Sequence, residues 1–250
     1  MVSLDMTSFV RLITAVAVVL ATTSPTSAEL SRRVLVYGGR ASLEVPTSWW
    51  EIPEAVLEFH SLRTAEFSGG RSAEIYQHGF RPGDPHLEFA LPQVLIQVRE
   101  SGRLEYGKFL HLPPLEALQR EGGERLFERA GPLLAGVELE NVVFDRETFS
   151  LRVSSILDLK LEGKAKVESA SFLTERGLFT VHCYAHISNA EAMAPVFAAI
   201  IDSVLFDDGV AYRARLSDRW PPTPASIMYG AAALAAAILL VLAIRRRGDR

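Results

Sequence analysis

Apolar side chains alternate with their neighbours at Val34 and Val36, and again at Ala41, Leu43 and Val45, on either side of Gly38-Gly39. A period of two interrupted by a glycine pair predicts an opening β-hairpin. Pro46 ends the second strand, because it has no N–H to give a ladder. Residues 56–62, 71–77 and 94–99 read as further extended runs, the last with Val94, Ile96 and Val98 on one face. Residues 80–86, Phe-Arg-Pro-Gly-Asp-Pro-His, are rich in turn formers and read as an exposed loop. Pro113-Pro114 can open a helix, which Leu115, Leu118, Leu126 and Phe127 continue and Gly122-Gly123 divides into two short pieces. β-character returns over 142–153 and 167–187, with Glu175-Arg176-Gly177 as a turn that folds 170–173 back on 178–184. A closing helix over 190–205 places Met193, Val196, Phe197, Ile200, Ile201 and Val204 at helical spacing and contains Pro195. Strands and hairpins with a few helices give an α+β class, an antiparallel sheet with helices packed on it.

The two ends read differently. Arg11, an apolar run over 12–21 and the small-residue site Thr26-Ser27-Ala28 predict a signal peptide over 1–28. Residues 227–244 are apolar or small throughout and precede Arg245-Arg246-Arg247. Such a run makes a helix of about 27 Å, enough to span a bilayer, with its arginines on the cytoplasmic side. The expected organisation is an extracytoplasmic domain over 29–208, a proline-rich juxtamembrane linker over 209–225, a transmembrane helix over 226–244 and a basic tail over 245–250. The expected location is the cell membrane, single-pass, with the folded domain periplasmic or external in a bacterial envelope.

Residues 29–225 carry 21 basic and 28 acidic side chains. That balance argues against nucleic acid as a partner. Cys183 is the only cysteine, which excludes an intramolecular disulfide and points to a small buried side chain.

No phosphate-cradling, nucleophile-elbow or zinc-protease motif is present, so no catalytic residue, cofactor or metal ligand is assigned. His182, Tyr184 and His186 share one face of an expected strand. The two histidines would lie roughly 13 Å apart, too far for one ion. Four residues are left as candidate partner contacts: Trp50, Arg81, Asp84 and His86. Adjacent residues on an extended chain point to opposite sides, so Trp49 is expected in the core and Trp50 at the surface. Arg81, Asp84 and His86 lie in the turn-rich loop, where recognition residues commonly sit.

Three stretches carry a resemblance to the PsbP-like fold and its bacterial DcrB-like relatives: Leu43-Glu44-Val45-Pro46-Thr47-Ser48-Trp49, the late hairpin through Phe172 and Tyr184, and the last helix running into Ile201-Asp202-Ser203-Val204-Leu205-Phe206. Together they span about residues 30–208. The resemblance implies a binding or assembly role rather than catalysis; the expected membrane anchor and the short proline-rich linker before it make a membrane or envelope protein the expected partner. The alternative is an envelope hydrolase or small-ligand-binding protein whose pocket the linear sequence hides.

Overall fold

The computed structural model describes residues 31–67, 75–87, 91–120, 134–159, 163–215 and 218. All but Ser31 fall in one unit that begins at Arg32. The signal peptide, the transmembrane helix, the basic tail and the end of the linker expected from the sequence lie outside the described residues. No helix among the described residues is long and apolar enough to cross a membrane.

The opening hairpin forms as expected from β1 (Ser31–Val36) and β2 (Ala41–Pro46). Tyr37 and Gly38 both have positive φ, at 55° and 62°, and Gly39 N–H donates to the Val36 carbonyl. Two left-handed central residues match the twist of the flanking strands. The short β10 (Leu205–Phe206) joins the other side of β2, in register at Leu205↔Ser42 and Phe206↔Ala41, to complete a three-stranded sheet.

Seven further strands form an antiparallel sheet in the order β3-β4-β5-β9-β8-β7-β6. They are β3 (Trp49–Glu51), β4 (His78–Pro82), β5 (Gln93–Arg99), β6 (Leu134–Asp145), β7 (Ser150–Leu159), β8 (Gly163–Leu173) and β9 (Leu178–His186). The Glu175–Gly177 turn is where the sequence puts it, and the pairing around it runs from Leu173↔Leu178 to Ala165↔His186.

The middle of this sheet is covered on both faces, and β9 shows why it reads as a nearly unbroken apolar run. Phe179, Val181, Cys183 and Ala185 point into a core shared with Leu43 and Val45 of the small sheet and with α3 (Ala190–Asp202), through Phe197, Ile200 and Ile201. Leu178 and Tyr184 point into a second core with Ile52, Leu57, Tyr106, Phe109 and Leu157. Fully burying one such side chain is worth about 1.5–3 kcal/mol, so the two cores hold the strands from both sides.

Two expectations change. Residues 56–62 are helical, within α1 (Glu54–Phe67), rather than extended. The Pro53 carbonyl accepts the N–H groups of Val56 and Leu57, and Glu54 places a carboxylate in the first turn, where the helix dipole favours it. The helix beginning after Pro114 is described over residues 115–120 (α2), and its continuation lies outside the described residues. The turn-rich loop also begins later than its composition suggests. Phe80 and Arg81 belong to β4, paired with β3 on one side, and both are buried; exposure starts at Pro82.

Candidate binding surface

The edge strand β3 separates the two tryptophans. Trp49 is buried in the core beneath the small sheet, whereas Trp50, 62% exposed, projects from the opposite face. Trp50 stands directly across from Arg81 in the β3–β4 register. The free edge of β3 is not left open, because Arg32 Nη2 donates to the Trp49 carbonyl at 3.1 Å. At the other end of the sheet the Gln119 amide does the same for β6, donating to the Val137 carbonyl and accepting Leu139 N–H. Backbone groups already bonded to side chains are poor templates for an added strand.

Arg81 is only 1% exposed, and its Nη2 donates to the carbonyls of Asp84 and Leu87. It therefore ties the loop to the sheet from beneath. Asp84 Oδ1 accepts His86 N–H at 2.8 Å, an Asx turn that sets the loop's outer curve. Asp84, His86 and Leu87 are exposed, Leu87 at 52%. Of the four candidate contacts, Trp50, Asp84 and His86 thus lie at the surface, and Arg81 holds the loop from inside. Leu87 is exposed on the same loop, and an isolated leucine after a turn carries no sequence signal.

Arg81 Nε and Nη1 are buried and unbonded, and burial of the guanidinium lowers its pKa while Asp84 opposes that shift. Next to it on β5, one register step beyond Phe80↔Val94, Gln93 is fully buried with neither amide atom bonded. His182, two positions before Tyr184 on β9, has its Nδ1 2.9 Å from Ser169 Oγ and its Nε2 unbonded. Burial pushes its pKa down to about 3, so the imidazole is neutral at ordinary pH. Cys183 faces the opposite core, and burial raises its thiol pKa well above the usual value. Among the described residues no cluster of His, Cys, Asp and Glu could hold a metal ion.

Beyond the end of β3, an open cleft of about 530 Å³ is lined by Glu51, Ile52, Pro53, Glu54, Leu57, Gln77 and His78. His78 Nδ1 lies 3.0 Å from Glu51 Oε1 on its wall. Gln77 is drawn into the sheet by its amide, whose Oε1 accepts Val98 N–H at 2.7 Å and which prolongs the β4 ladder by one side chain.

No family model matches the chain, and no curated protein does. Solved structures similar to it include cyanobacterial PsbP (CyanoP) from Synechocystis, at 10% identity and a TM-score of 0.46, covering 75% of this chain and 99% of that one. The Ran-binding protein Mog1p of Saccharomyces cerevisiae aligns at 11% identity and a TM-score of 0.40, over 72% of this chain and 96% of its own. LpqN of Mycobacterium tuberculosis, described as involved in cell envelope biogenesis, aligns at 12% identity and 0.34, over 73% and 91%. These structures share the PsbP-like fold, and the likeness holds at the level of fold alone.

Proposed function

We propose that this chain is a non-catalytic binding module, held at the outer face of the cytoplasmic membrane by its C-terminal segment, that engages a membrane or envelope protein and supports its assembly. The observation that carries the reading is the surface made by Trp50, Leu87, Asp84 and His86. One large apolar side chain, Trp50, stands out from the edge strand, and a second, Leu87, from a polar loop that a buried arginine of the neighbouring strand fixes in place. An exposed tryptophan on a rigid element, rimmed by polar groups, has the make-up of an interface anchor. The apolar run over 227–244 and the leader-like residues 1–28 support the location.

The test is photo-cross-linking from position 50 of the full-length chain in its native membrane, with the captured species identified by mass spectrometry. A discrete protein adduct is the expected result. Loss of all adducts at position 50, together with capture from an exposed position elsewhere such as Leu35, would move the interface away from this surface.

A second reading is favoured by the Glu51–His78 cleft, whose volume suits a small ligand. Under it the protein is a small-ligand carrier of the envelope, and specific retention of a metabolite that His78→Ala abolishes would support it.

A further inference from the structure

Arg81 and Gln93 are neighbours across β4 and β5 on the face of the sheet from which Trp50 projects. A guanidinium has five N–H groups; the two on Nη2 meet loop carbonyls, while Nε–H and the pair on Nη1 have no partner. Among the described residues no carboxylate forms an ion pair with it. Gln93 adds an unbonded NH2 and an unbonded carbonyl oxygen at the next strand. A buried cation left without an anion is strongly unfavourable, and most buried polar groups in folded proteins are satisfied. Two adjacent exceptions across from the exposed tryptophan therefore leave Arg81 Nε and Nη1 and Gln93 Nε2 as unpaired donors, with Gln93 Oε1 as an unpaired acceptor beside them.

We infer that Arg81 and Gln93 form a receptor for a peptide carboxylate carried by the protein partner, entered when the 82–87 loop lifts from the sheet beside Trp50. This rests on the binding reading above and names the chemistry of that site. The carboxylate takes N–H donors from Arg81 Nη1 and Gln93 Nε2, and an amide N–H beside it meets Gln93 Oε1. Arginine suits this task because its charge persists under burial and its donors are directional. The loop's ties to Arg81 are two carbonyl bonds to Nη2 alone, which leaves Nη1 free to meet an incoming carboxylate. Trp50 then covers the entering segment.

The experiment follows the Arg81 Nε–H and Gln93 side-chain amide resonances of the full-length protein in mild detergent. The probes are N-acetylglycine, which has a carboxylate beside an amide, and N-acetylglycinamide, which lacks the carboxylate. A third, N-acetylglutamic acid α-methylamide, carries only a side-chain carboxylate. Saturable shifts with N-acetylglycine in the millimolar range, and none with the amide, are expected. A stronger response to the glutamate probe would assign the group to an acidic side chain instead of a chain terminus, with the receptor unchanged. Arg81→Met should weaken binding at least about tenfold, and Gln93→Leu by a few-fold, as loss of charge-assisted and neutral hydrogen bonds requires. Gln93→Glu supplies the missing anion within the chain; it should abolish the response and raise the melting temperature, which keeps the idea testable if Arg81→Met fails to fold.

The inference is overturned if no probe gives a saturable shift, or if Arg81→Met responds as the wild type does. It is equally overturned if the response appears only in Glu88→Gln, which would mean that an acid of the chain itself fills the receptor. Cross-linking from position 50 reports separately. Capture of a partner with no probe response removes this inference and leaves the binding reading intact, whereas a probe response without capture keeps Arg81 and Gln93 as a carboxylate site but removes the protein partner, and with it both readings as stated.

Discussion

Replacing Asp218 by asparagine tests how firmly the segment after β10 is fastened to the loop after β5 and the β8–β9 turn. The Asp218 side chain is wholly buried and accepts four hydrogen bonds. Arg103 Nη1 gives one to Oδ1 at 2.7 Å and Nη2 one to Oδ2 at 2.6 Å, while Arg215 N–H at 2.7 Å and Tyr212 OH at 3.1 Å also reach Oδ2. Arg103 also bonds Glu175 at 3.0 Å and lies over the Tyr212 ring at 4.6 Å. The network thus joins the loop after β5, the β8–β9 turn and the segment after β10, which lies within the stretch 209–225 expected as a linker. Hydrogen bonding from Arg103 is the largest influence on Asp218; burial opposes it, Arg215 and Tyr212 reinforce it, and the carboxyl falls from 3.8 to about 2. At about 1.4 kcal/mol per pH unit, that corresponds to roughly 2 kcal/mol of stability. Because the folded value lies below the unfolded one, this contribution is complete above about pH 4 and is lost as pH falls through about 2. Asp218→Asn should therefore lower unfolding stability by about 2 kcal/mol near neutral pH, or about 4–8 °C in melting temperature for a domain of this size. Urea unfolding of the full-length chain, followed by circular dichroism at neutral pH and again toward pH 2, measures it. A loss below about 0.5 kcal/mol at neutral pH, the usual scatter of surface changes, would refute the reasoning. So would a difference from the wild type that stays constant down to pH 2.

Two other outcomes follow from the packing. Gly177 has a φ of 148°, and a Cβ there would lie 2.0 Å from the Arg99 carbonyl oxygen. Gly177→Ala should break the β8–β9 turn and cost more than about 3 kcal/mol, seen as loss of cooperative melting, while Gly209→Ala, whose Cβ meets nothing within 4 Å, should melt as the wild type does. The Cys183 thiol is enclosed and held protonated by burial, so it should react with a disulfide reagent only on unfolding. Stopped-flow labelling in native buffer and in urea checks this, and fast native labelling would contradict it.

The β-hairpins were legible because their signals are local: Gly38-Gly39 and Glu175-Arg176-Gly177 sit between alternating or apolar runs, and both turns form there. The last helix is legible for the same reason, ending at Asp202 instead of 205 because the chain turns into β10. Residues 56–62 misled because Val56, Leu57 and Phe59 are consistent with either period; the arbiter is Pro53, whose carbonyl starts α1. The two tryptophans were sorted by strand alternation alone. Arg81 could not be placed by composition, because Pro82, Gly83 and Asp84 mark a turn without saying where the preceding strand stops. The unbonded amide of Gln93 and the cleft at Glu51 and His78 arise from pairing between strands far apart in sequence, and no spacing along the chain reports them.

The most direct measurement of the central claim is affinity capture of the full-length chain from gently solubilised native membranes, comparing wild type with Trp50→Ala. Trp50 packs in neither core, so the substitution should leave the melting temperature within about 1–2 °C. A protein retained reproducibly by the wild type and lost from the Trp50→Ala sample, at equal folding, is the predicted result. Equal retention of the same protein by both would contradict it.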